Sequence, residues 1–83
     1  MTRDEIKTAV LEEISNIAPE VELQDLDPEA DLREAVDLDS MDILNLLIAL
    51  HKRLAIDIPE AEAKNLVTLN GAVDYLASKL GGR

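Results

Sequence analysis

Residues 40–54 read "SMDILNLLIALHKRL", fifteen positions with no glycine or proline to interrupt a helix. Ile43, Leu47, Leu50 and Leu54 recur at steps of four, three and four, which predicts one apolar stripe, while Met41, Leu44 and Ile48 form a second stripe beside it. One stripe seats a helix on a core. The other is surplus, either a face kept apolar for a partner or ligand or an extra face buried in a four-helix packing.

Working outward towards the N-terminus, Thr2 and Glu5 have the spacing of a capping box, and Ile6, Val10, Ile14 and Ile17 line one side of a helix that should end before Pro19. The next twenty residues hold Pro19, Pro28 and many acids, with Val21, Leu23, Leu26, Leu32 and Val36 at no sustained period. They predict a long loop tacked onto the core, with a short turn near Glu29 to Glu34. A loop of that length is uncommon unless it serves a function. Towards the C-terminus, Pro59 fits the first position of a short helix reaching Asn65, with Glu60 and Glu62 near its positive end. Thr68 is placed to cap a last helix carrying Leu69, Val73, Leu76 and Leu80, which Gly81 and Gly82 would end. There is no strand pattern and no repeat. The expected fold is all-α: one domain over residues 1–83, a four-helix bundle of three longer helices and a short third one, with the long loop between the first two.

A chain of 83 residues buries only ~60% of its unfolded surface, so a deep enclosed active site is hard to build and a binding or carrying role is the default. Eighteen acidic against eight basic residues give a net charge of −10, which disfavours nucleic acid and anionic lipid and favours basic protein surfaces. The absence of cysteine excludes disulfides and thiolate metal sites. The apolar run Ile43 to Leu50 is far short of the ~20 residues that span a bilayer, and no signal segment opens the chain. A cytoplasmic protein with no membrane span is expected. Tyr75 is the single aromatic residue, so the interior must be aliphatic, of a kind that could repack around a guest.

The helix at residues 40–54 opens on a serine fenced by Asp37, Asp39 and Asp42. Ser40 or Asp39 can cap the helix. A nucleophilic Ser40 would need a base, and the single histidine, His51, lies about 16 Å down the same helix, so no catalytic residues are expected. Alternatively, the hydroxyl takes a covalent phosphate-linked group, which the positive end of a helix tolerates. The acids of "DLDPEAD", Asp25 to Asp31, alternate as in a calcium loop, but there is no glycine at the sixth place and Val36 stands where a bidentate glutamate should be. No metal site is expected, beyond diffuse attraction of divalent cations to an acidic surface.

Asp39-Ser40-Met41-Asp42, preceded by Leu32 and Val36, resembles the D-S-[LM] attachment motif of acyl carrier proteins, and the resemblance runs on through Ile56-Asp57-Ile58-Pro59, Thr68-Leu69 and Val73-Asp74-Tyr75-Leu76. It covers nearly the whole chain. It implies that Ser40, within a motif completed by Asp39 and Met41, receives 4′-phosphopantetheine from coenzyme A through a separate magnesium-dependent phosphopantetheinyl transferase. The carrier would catalyse nothing; the arm's thiol would hold acyl groups as thioesters. Implied partners are an acyl-loading ligase or transferase and the synthase enzymes of fatty acid, polyketide or related biosynthesis, served by a monomer. The helix after the serine is the family's docking surface, so the resemblance assigns Met41, Leu44 and Ile48 to apolar partner contacts and Asp39 and Asp42 to their charged flank.

Two departures stand out. Many members have a glycine two or three residues before the serine, where this chain has Asp37 and Leu38. Members serving bulk fatty acid synthesis carry acids along the docking helix, where this chain has Asn45, His51, Lys52 and Arg53, which points to a specialised pathway. The competing reading is a small helical protein-interaction module without a prosthetic group.

Overall fold

The computed structural model describes residues 2–81, and they are all-helical. Helix α1 spans Arg3–Ile17, a single turn α2 spans Leu32–Ala35, α3 spans Ser40–Leu54 and α4 spans Leu69–Gly81, with 3₁₀ segments at Leu23–Asp25 and Glu60–Leu66. The capping box at the start of α1 is present: the Glu5 N–H donates to Thr2 Oγ1 at 3.1 Å and the Thr2 N–H to the Glu5 carboxylate at 2.7 Å. The α3 boundaries are those its unbroken sequence predicts.

The core is wholly aliphatic. Ile6, Ala9, Val10 and Ile14 of α1 meet Leu46, Leu47, Leu50 and Leu54 of α3 and Leu69, Ala72, Val73 and Leu76 of α4, and no polar or charged residue is buried among the described residues. Helix α1 lies against both α3 and α4, and the Glu60–Leu66 segment bridges α3 and α4 on another side. One stripe assignment needs correction: Leu46, absent from the expected core stripe, is completely buried, while Ile43 is only half-buried. The reason is that α3 is covered by more than one neighbour, so its buried arc is wider than a single stripe.

The short helix before α4 also differs from expectation. It is a 3₁₀ segment, Pro59 precedes it in an extended conformation instead of opening it, no side chain caps its start, and only Leu66 is buried. At the start of α4, Thr68 acts as expected, its hydroxyl accepting the Gly71 N–H at 2.9 Å. Of the two glycines expected to end that helix, Gly81 is its last residue and Gly82 lies outside the described residues.

The long loop is tied down at its second half. The Leu32 N–H donates to the Val67 carbonyl at 2.7 Å, the Asn70 N–H to the Pro28 carbonyl at 3.0 Å, and Asn70 also donates to the Glu29 carboxylate. Its alternating acids shape turns: Asp27 accepts the Glu29 N–H at 2.9 Å and Asp31 caps α2 by accepting the Arg33 N–H at 2.9 Å. Leu32, Val36 and Leu38 then drive the chain into the core just before α3.

Candidate functional site

Asp37 turns the chain into α3 with φ of 55°, the left-handed region that an L-residue occupies at a cost and a glycine occupies freely. This is one of the two positions where many relatives of the motif have glycine. The aspartate here takes a conformation that a glycine would adopt without strain. Leu38, 4% exposed, anchors the next residue.

Asp39 and Asp42 hold the start of the helix. The Asp42 N–H donates to Asp39 Oδ1 at 2.9 Å and the Asp39 N–H to Asp42 Oδ2 at 3.3 Å, a capping box made of two acids. Of the two candidate caps, Asp39 does the work. Ser40 is the first helical residue, exposed, and its hydroxyl makes no hydrogen bond with the described residues. His51 is exposed on the same helix, and its Nδ1–H donates to the Ile56 carbonyl at 2.5 Å. It pins the loop after α3, far from the serine.

Beside Ser40 opens a cleft of about 360 Å³ between α3 and the 3₁₀ segment. Ile43, Leu44 and Leu47 form one wall, Ala63 and Leu66 the other, and Arg33 and Lys64 also line it. A second hollow of about 450 Å³ shares Leu44 and Leu47 and reaches Ile48, His51 and Pro59. The surplus stripe therefore splits: Met41 is 64% and Ile48 45% exposed, while Leu44 is half-buried and faces both hollows.

The basic end of α3 is partly consumed by the fold. Arg53 bonds the Glu13 carboxylate at 3.1 Å and also pairs with Glu12, both on α1, whose acids hold the guanidinium pKa above its usual range. Sequence reading did not find Arg33, Lys64 or Leu66 at the cleft. Nothing local marks them, because residues 33, 40 and 64 meet only through the packing of three elements.

These features define a small helical domain presenting one free serine hydroxyl beside an apolar cleft. Residues 8–76 match the family described as the phosphopantetheine attachment site. The chain is 32% identical over 78 residues to an acyl carrier protein of Acidothermus cellulolyticus, covering 94% of this chain and 92% of that one. It is 34% identical over 76 residues to an acyl carrier protein of Rubrobacter xylanophilus (92% and 93% covered) and 32% identical over 73 residues to one of Campylobacter fetus (88% and 88%). The chain belongs to the acyl carrier protein family. The residues present fit the family's prosthetic group, since an exposed, unbonded hydroxyl leaves room for a phosphodiester and the positive end of a 15-residue helix offsets part of the repulsion from the neighbouring acids. Among the described residues, no helix is long and apolar enough to cross a membrane, and no three metal-ligating side chains converge.

Proposed function

We propose that Ser40 is the attachment residue for 4′-phosphopantetheine and that this chain carries acyl groups between partner enzymes without catalysing a reaction itself. The observation that carries this reading is the division of labour at the head of α3: Asp39 and Asp42 make the cap, which leaves the Ser40 hydroxyl free for modification. When bound, the group supplies a thiol at the end of a long flexible arm, able to hold acyl cargo as a thioester and to reach several active sites. The protein's own part is to fix the attachment point, to offer the cleft beside it, and to expose Met41 and Ile48 to partners.

Phosphopantetheinyl transferase, a loading ligase or transferase, and synthase enzymes would meet this face, and the net charge of −10 favours basic surfaces on them. The 3₁₀ segment Glu60–Leu66 stands for the short third helix of a four-helix carrier bundle acting as a cytoplasmic monomer. The specialised-pathway reading narrows to Asn45 and Lys52, because Arg53 is paired with α1 and His51 is engaged with Ile56.

The test is intact-protein mass after incubation with coenzyme A, magnesium and a broad-specificity phosphopantetheinyl transferase. One phosphopantetheinyl group should be gained by the wild type and none by Ser40→Ala. Failure of well-folded wild type to gain mass would leave an interaction module that uses the exposed Met41 and Ile48 face without an arm.

A further inference from the structure

We infer that Arg33 and Lys64 hold the phosphodiester formed at Ser40 against the cleft and steer the arm between α3 and the 3₁₀ segment. This rests on the reading of Ser40 as the attachment residue.

A phosphodiester at Ser40 adds a negative charge next to Asp37, Asp39 and Asp42 in a chain already at −10. Those acids repel it. The only cationic side chains lining the cleft beside the serine are Arg33 and Lys64, which come from α2 and from the 3₁₀ segment. Elsewhere Arg3 pairs with Asp74, Arg53 with Glu12 and Glu13, and Lys79 with Glu62, while Lys7 and Lys52 make no ion pair among the described residues and do not line the cleft. Lys64 makes no ion pair within 4.0 Å among the described residues. Arg33 uses Nε and Nη2 to grip Asp31 at 3.2 and 2.9 Å, which orients the guanidinium and leaves its remaining donors for an anion. Its backbone is fixed by the bond from Leu32 to Val67, which seats α2 alongside the end of the 3₁₀ segment.

Glu60 also lines the cleft and Asp31 pairs with Arg33, so the formal charges there balance, in contrast to the unrelieved acids fencing the serine. The apolar walls, Ile43, Leu47 and Leu66, reduce screening and make that difference felt. An arm whose phosphate is drawn this way starts into the cleft, where its carbon atoms cover apolar surface. An arm repelled from it would leave over open solvent.

The experiment compares wild type, Arg33→Gln, Lys64→Gln and the double variant, each ¹⁵N-labelled, before and after attachment of phosphopantetheine confirmed by mass. Both residues are exposed, and spectra of the unmodified variants matching wild type away from the substitutions verify folding. In wild type, attachment should shift the Leu66 and Val67 amides and the Arg33 Nε–Hε signal as well as residues 39–42. Each single variant should weaken the Leu66 and Val67 shifts, and the double variant should lose them. Shifts confined to residues 39–42 in wild type, or Leu66 and Val67 shifts that survive in the double variant, would overturn the inference. Absence of mass gain in wild type would instead defeat the attachment reading.

Discussion

Tyr75 of α4 donates its hydroxyl to the Glu62 carboxylate on the 3₁₀ segment. Lys79, one turn further along α4, completes the group, its Nζ 3.7 Å from Glu62 and 5.6 Å from the centre of the Tyr75 ring. This triad is a polar seam between α4 and the wall of the cleft that has the fewest buried residues.

Partial burial of the phenol, and then the carboxylate that accepts its hydrogen bond, push the Tyr75 pKa up to about 12. The unfolded value is ~10, so the fold favours the neutral phenol; that contribution is whole below pH ~10 and is lost as pH climbs towards the folded pKa. Alkaline titration by tyrosinate absorbance should give a midpoint near 12 in wild type and a lower one in Glu62→Gln, still above the free value because burial of the phenol remains. An unchanged midpoint in the variant would show that Glu62 is not the partner.

Asp39→Ala removes the acceptor that caps α3 and should cost about 1 kcal/mol in urea unfolding. Ser40→Ala, which touches no bond of the cap, should stay within ~0.5 kcal/mol of wild type. A reversed order would mean that the serine, not the aspartate, secures the helix.

Ala55 ends α3 with φ of 56°, and Asp37 precedes it with φ of 55°. Each is an L-residue where glycine is relieved of side-chain strain. Ala55→Gly should therefore stabilise the protein by about 0.5–1 kcal/mol despite the greater freedom of glycine in the unfolded chain. Asp37→Gly should act in the same direction. A loss of stability in both would show that the observed turns are not strained.

Leu46→Ala opens space in the fully buried centre of α3 and should cost about 2–5 kcal/mol. Met41→Ala, at 64% exposure, should leave stability within ~0.5 kcal/mol yet raise the Kd for a partner transferase or synthase. Calorimetric unfolding and binding titration separate the two effects.

Much of this was legible in order along the chain. The Thr2–Glu5 box, the unbroken run at residues 40–54 and Thr68 before α4 are local signals, and local signals fix helix starts. What depends on distant neighbours was not legible. Leu46 reads as one more leucine until α1 and the 3₁₀ segment cover α3, and Arg53 reads as a free surface charge until α1 brings Glu12 and Glu13 to it. The segment Glu60–Leu66 is too short for its period to separate 3.0 from 3.6 residues per turn. The same limit applies to the site. The motif locates Ser40, but Arg33 and Lys64 share its cleft only because α2 is sewn to Val67.

The unequal anchoring of the two sides of the cleft assigns them different tasks. Helix α3 is capped at its head and seated by four buried leucines, whereas the facing segment starts uncapped and has Leu66 as its one fully buried residue, with Ala63 packed beside it. Widening of the cleft costs least when that one short stretch is displaced, while α3 keeps its shape. On the proposed carrier reading, a docking face on the exposed side of α3 would thereby be insulated from the size of the load.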